Sequence, residues 1–63
     1  MDYIVSAADL LKLAKTIVDD GKDYVEISFF EPDEELPASV HFEAIRKGDF
    51  VWVDYEGLEV VNP

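Results

Sequence analysis

The stretch that decides the fold is residues 6–30, SAADLLKLAKTIVDDGKDYVEISFF. Its apolar period changes once. From Ser6 to Asp20, the residues Ala7, Leu10, Leu11, Ala14, Ile17 and Val18 recur at the three- and four-residue spacing of one helical face. From Tyr24 to Phe30, Val25, Ile27 and Phe29 alternate with Tyr24, Glu26, Ser28 and Phe30, the pattern of a strand. Punctuation agrees with the change of period. Ser6 is a good N-cap, and Asp9 stands three residues later, the shorter counterpart of the Glu in a capping box. Val5 is placed to pack on Leu10 across that cap. Gly21 is a natural left-handed stop. Asp19 and Asp20 oppose the negative end of the helix dipole, and Lys22 offsets them.

Downstream, Glu31 to Pro37 carries two prolines and a cluster of acids, and reads as a loop. Ser39 to Arg46 reads as a second strand, with Val40, Phe42 and Ala44 alternating against Ser39, His41, Glu43 and Ile45. Lys47-Gly48-Asp49 is a turn in which Gly48 is free to take a positive φ. Phe50 to Tyr55 is the expected third strand, and Glu56-Gly57 a further turn. Leu58 to Val61 is a candidate fourth strand and Tyr3 to Val5 a candidate edge strand. Short links imply antiparallel neighbours. The expected architecture is a single α+β domain spanning residues 1–63, with one amphipathic helix packed on a three- to four-stranded antiparallel sheet.

The charge-free set Val25, Ile27, Phe29, Val40 and Phe42 is expected beneath the helix. The third strand is open to two readings, with Val51, Val53 and Tyr55 on one face and Phe50, Trp52 and Asp54 on the other. The uncovered face then holds Phe30, His41, Ile45 and one of the pairs Phe50/Trp52 or Val51/Val53, with Glu26 and Glu43 among them. A mixed apolar and acidic face of this kind is a contact surface unless the sheet coils or the C-terminal segment folds across it.

Composition narrows the function classes. At 63 residues the core is thin. A 49% hydrophobic content is too high for disorder. No cysteine is present to staple the fold, so stability must come from packing or from a partner subunit. No apolar run approaches a membrane span, and the start Met1-Asp2-Tyr3 lacks the features of a signal peptide, so cytoplasmic residence is the expectation. Fifteen Asp and Glu against five Lys and Arg give a net charge of −10. That field repels nucleic acid and anionic membranes and favours basic partners, although acidity also serves solubility. Lys12, Lys15, Arg46 and Lys47 are too scattered for a phosphate-binding footprint.

No motif assembles an active site. His41 is the only histidine, with no nucleophile signature around it. Nothing selects a pair of acids for proton transfer, and so short a chain has little volume for a substrate pocket. Asp19, Asp20 and Asp23 lack the spacing of a calcium loop, and Glu31, Asp33, Glu34 and Glu35 read as a solvated acidic loop. The three glycines are isolated, so no phosphate loop is present. The expectation is a non-enzyme with no cofactor and no metal.

Two functions from different classes fit. The first is a small acidic module that binds a protein partner with a basic surface, sharply put a nucleic-acid mimic whose carboxylates stand where phosphates would. In size, charge and helix-plus-sheet layout the chain resembles small acidic inhibitors from phages and other mobile elements, including some anti-CRISPR proteins; the resemblance is one of type and rests on no motif. The expected binding residues are Glu26, Glu31, Asp33, Glu34, Glu35, Glu43 and Trp52. The second function is a structural or assembly protein that homodimerises through the exposed sheet face.

Overall fold

A computed structural model describes residues 2–62 of the chain. It contains one helix, α1 (Ala7–Asp19), and three strands, β1 (Tyr24–Phe30), β2 (Ser39–Ile45) and β3 (Val53–Glu59), in an antiparallel sheet of order β1-β2-β3. The α+β class and the α-β-β-β order follow the sequence reading.

The helix ends are built as their residues dictate. Ser6 Oγ accepts a hydrogen bond from the Asp9 amide at 3.2 Å. At the other end Gly21 has φ +80°, the Gly21 amide donates to the Val18 carbonyl, and the Lys22 amide donates to the Ile17 carbonyl. This pair of bonds is the Schellman closure, which satisfies the last orphan carbonyls. Three further contacts fix the helix end to the sheet. Tyr55 Oη donates to Asp20 Oδ2 at 2.8 Å. The Lys47 amide donates to Asp23 Oδ2 at 2.7 Å, and the Asp23 amide donates to the Ile45 carbonyl. The desolvated Tyr55 hydroxyl, hydrogen-bonded to Asp20 and facing its charge, has its pKa pushed up. Asp20 therefore does more than oppose the dipole, since it is the C-cap and anchors β3.

Register assigns the faces. β1 pairs Val25 with Ala44, Ile27 with Phe42 and Phe29 with Val40; β3 adds Val53 opposite Ala44 and Tyr55 opposite Phe42. These residues share the helix side. Ile17, Val40, Phe42 and Ala44 are buried there. The expectation that Val25, Ile27 and Phe29 are covered meets a correction, because they remain 43%, 52% and 64% exposed. A helix is about 10–12 Å across, and strands lie about 4.8 Å apart, so one helix shields little more than two strands. Here α1 lies toward β2 and β3. The helical stripe is corrected as well. Leu13 is half-buried and Ile17 buried, whereas Leu11 and Val18 point to solvent.

The C-terminal half departs most from the sequence reading. The third strand starts at Val53 rather than Phe50 and runs through Glu56-Gly57 instead of turning there. Glu56 and Gly57 together face the single residue His41, so the register shifts between Val40 and Phe42 as in a β-bulge. Gly57 is needed for closeness: a Cβ there would lie 3.0 Å from the Val40 carbonyl oxygen and 3.3 Å from the His41 ring. Leu58 and Glu59 belong to β3, so no separate fourth strand follows among the described residues. The Val60 amide donates to the Ala38 carbonyl and the Val61 amide to the Ile4 carbonyl. That last bond is what stands in place of an edge strand at Tyr3–Val5. The turn at Gly48 forms as expected, with φ +93° and the Asp49 amide donating to the Arg46 carbonyl. The residues Phe50, Val51 and Trp52, expected in the strand, form an irregular link in which Phe50 is 97% exposed.

Two substitutions test this core. Ile17→Ala and Phe42→Ala should each destabilise by about 2–5 kcal/mol through lost burial and a residual cavity. Denaturant unfolding that leaves both within about 0.5 kcal/mol of the wild type, the range of surface changes, contradicts the packing described.

Candidate functional site

The side of the sheet away from the helix carries, by register, Tyr24 with Ile45, then Glu26 with Glu43 and Asp54, then Ser28 with His41, then Phe30 with Ser39 and Glu59. The second of these rows is the feature the fold creates. Glu26 lies opposite Glu43, and Glu43 opposite Asp54, so three carboxylates from three strands cross the sheet in one line. Directly opposed side chains have Cβ atoms about 4.5–5.5 Å apart, and like charges so placed destabilise a sheet. The same-face neighbours along β1 and β2 are Tyr24, Ile45, Ser28 and His41, and none carries a fixed positive charge.

The strain of this line shows at its centre. The Glu43 carboxyl is pushed above the usual carboxylate range, first by its hydrogen bond to Asp54, then by desolvation, then by the charges of Asp54 and Glu26. In that arrangement a protonated Glu43 donates to the Asp54 carboxylate. A neighbouring cation from outside would oppose the repulsion from Asp54 and Glu26 and favour the ionised form.

The remaining expected site residues are distributed unevenly. Trp52 directly precedes Val53, which faces Ala44, so it sits at the Ile45 end of the sheet, more than half covered. The loop acids Glu31, Glu34 and Glu35 follow the opposite end of β1 and are exposed. Six residues of strand separate the two ends, about 20 Å. The structure thus unites Glu26 and Glu43, leaves Trp52 in the link that enters β3, and sets the acidic loop apart. Asp33 has a local task. Its Oδ1 accepts from the Glu35 amide at 2.8 Å and the Leu36 amide at 2.7 Å, closing the turn between the two prolines. Asp54 is the residue missed by sequence reasoning; its signal was the alternation with Val53 and Tyr55, hidden by the uncertain start of the third strand.

His41 packs edge-on against Phe30, with ring centroids 4.3 Å apart, and its Nε2 lies 2.9 Å from Ser39 Oγ. That distance is within nucleophile–base reach. The opposite edge of the ring lies against Gly57, so no carboxylate orients it there. Two troughs flank the helix. One, about 640 Å3, lies against β3 between residues such as Lys12, Thr16, Tyr55 and Glu59. It exceeds the volume expected of so short a chain, yet its rim is formed largely by exposed side chains. The other, about 250 Å3, is apolar and lies between α1 and β1. No group of three or more His, Asp or Glu side chains among the described residues is arranged to hold a metal ion.

Compared with known proteins, the chain matches no family model, no curated protein and no solved structure. No helix among the described residues is long and apolar enough to cross a membrane.

The carboxylate row makes a pH prediction. The folded pKa of Glu43 lies above its unfolded value, so the native state binds this proton more tightly. Its stabilisation is complete below the ordinary carboxylate range and is lost as the pH rises through the raised value. Glu43→Gln mimics the protonated form. The variant should melt above the wild type at pH 7, and the difference should shrink to nothing toward pH 4. A difference that stays constant across thermal melts in this range contradicts the shared proton.

Proposed function

We propose that the chain is a small acidic binding module that occupies the basic, nucleic-acid-binding surface of a partner protein in the cytoplasm. The observation that carries this reading is the line Glu26–Glu43–Asp54, a set of opposed like charges with no Lys or Arg at the flanking same-face strand positions among the described residues. Natural sheets use cross-strand pairs to stabilise themselves, and this one sets three acids against one another. Charge self-repulsion of that kind is relieved when a cationic surface covers it.

Strand spacing puts one carboxylate about every 4.8 Å across the sheet, a closely spaced anionic line of the kind a basic surface recognises. Trp52 at the end of the row supplies the apolar contact area that interfaces concentrate in aromatic residues. The net charge of −10 and the loop acids Glu31, Glu34 and Glu35 supply long-range attraction, which acts on the rate of association. This is the way of working of the small acidic inhibitors of phages and mobile elements. A homodimer through the same face would set two carboxylate rows against each other, and that opposition speaks for a basic partner there instead.

Immobilised wild-type chain exposed to a lysate of its own host at low salt should retain basic nucleic-acid-binding proteins, released by added salt and by competing nucleic acid. The triple variant Glu26→Gln, Glu43→Gln, Asp54→Asn should lose them while staying folded. Retention unchanged in that variant sinks the proposal. With an identified partner, Glu31→Lys, Glu34→Lys and Glu35→Lys together should slow association and flatten its salt dependence, and Trp52→Ala should speed dissociation. Asp33 is left in place because it closes its own turn.

A further inference from the structure

The two edges of the sheet are not alike. β3 carries Asp54, Glu56 and Glu59 and bulges at Glu56 and Gly57, and just beyond its end the Val61 amide is bonded to the N-terminal segment at Ile4. Charge and a bulge are devices by which soluble proteins keep an edge from taking a further strand. β1 lacks them. Residues 24–30 hold neither proline nor lysine, pair with β2 along their whole length without a shift, and have no other strand beside them among the described residues. In an antiparallel ladder alternate amides and carbonyls point away from the partner, so the outer side of β1 presents a regular row of donors and acceptors.

We propose that the β1 edge takes an extended segment of the basic partner as a fourth strand, a segment in which apolar residues alternate with Lys or Arg. The proposal rests on the reading of the chain as an acidic binding module and names the part of the partner that it holds.

Three features of the edge set the chemistry of that segment. The backbone fixes its conformation, because only an extended chain answers a strand's outward amides and carbonyls in register. The open face fixes its charge. Glu26 is the only charged residue of β1 and the end of the line Glu26–Glu43–Asp54. Its cross-strand neighbour on β2 is another acid, so a Lys or Arg set opposite it on the outer side is the first favourable cross-strand partner the line acquires. Glu31, Glu34 and Glu35 follow the Phe30 end of β1 and extend the same preference. The helix side fixes the alternate positions. Val25 and Ile27 are 43% and 52% exposed and favour apolar side chains beside them. At the third helix-side position Tyr3 already packs edge-on against Phe29, with ring centroids 5.5 Å apart, so the apolar requirement falls on the positions beside Val25 and Ile27. The trough between α1 and β1 lies inward of this edge and stays open.

A second copy of this chain does not meet these terms. Its own residues 24–30 have no cation to set opposite Glu26, and each copy carries a charge of −10. A basic segment supplies what the edge lacks, and the charges across the sheet then run cation, Glu26, Glu43, Asp54.

The probe is a synthetic peptide as long as β1, with Val and Lys alternating, added at low salt to the intact isotope-labelled chain. Amide exchange read by NMR should show the outward amides of residues 24–30 gaining protection, with β3 unchanged. The same peptide with Glu in place of Lys should protect none. Two versions N-methylated at alternate positions, one in each phase, should differ, because only one phase removes the amides that bond to β1. Glu26→Lys should weaken the Val-Lys peptide about threefold to tenfold, since a favourable pair becomes a like-charged one, and should admit the Val-Glu peptide. The methylated pair needs no variant, so the test stands even where Glu26→Lys disturbs the fold. No protection at any peptide concentration, equal binding of the two methylated peptides, or protection at β3 instead of β1 overturns the proposal. So does binding on the carboxylate row that leaves the outward amides free, or β1 protection that rises with protein concentration alone, which assigns the edge to a second copy. The lysate test of the acidic module reads retention by the triple carboxylate variant and none of these outcomes, so the two fail separately.

Discussion

A single helix of thirteen residues cannot cover a three-stranded sheet, and the rest of the molecule follows from that shortfall. The helix is about 20 Å long and 10–12 Å wide, whereas three strands with their flanking side chains are wider. β2 is central and takes the shelter: Val40, Phe42 and Ala44 are buried on its helix side, beneath Ile17. β1 gives up its cover and keeps its apolar residues exposed. The opposite face has no helix over it; Ile45, expected uncovered there, is nevertheless buried at its end, while acids gather in its middle. Two surfaces of opposite character thus lie back to back on one thin sheet, an apolar edge on one side and a line of carboxylates on the other.

What holds the helix toward β3 rather than β1 is polar. The chain leaves the helix through the left-handed Gly21, and Arg46 lies close to it, its Nη2 3.1 Å from where a Cβ would stand. Asp20 takes the Tyr55 hydroxyl and Asp23 takes the Lys47 amide. These bonds tie the helix end to the β2–β3 side. Asp20, which would burden a helix C-terminus electrostatically, becomes its fastening because it meets a donor from β3, and Asp23 does the same with a donor from the turn after β2. The same economy governs Asp33, whose carboxylate closes the loop between Pro32 and Pro37.

The first half of the chain was legible because each local signal agreed with its neighbours. Ser6, the helical period and Gly21 all mark one helix, and strict alternation marks β1 and β2. The partition of Val25, Ile27, Phe29, Val40 and Phe42 to the helix side was readable for the same reason. Their unequal burial was not, since periodicity assigns a face but not the width of what covers it. The third strand failed on ambiguity of a different kind. Residues 50–55 are apolar at nearly every position, so alternation cannot place the strand's start. Gly57 resembles a turn residue in sequence, and only the approach of the Val40 carbonyl and the His41 ring shows it as a bulge. Of the candidate site, Glu26 and Glu43 were legible on one face. Their alignment with Asp54 was not, because it depends on a register that the bulge sets.

The claim beneath all of this is that cover is unequal across the sheet, and residue-resolved amide hydrogen exchange on dilute protein measures it directly. The account predicts that the β2 amides exchange slowest, near the rate set by global unfolding, because both neighbours hold them and the core lies over them. Along β1, amides directed at β2 should be protected while their alternates, directed at the open edge, exchange freely. Uniform slow exchange along β1 at high dilution, or β2 amides no slower than those of β1, would contradict it.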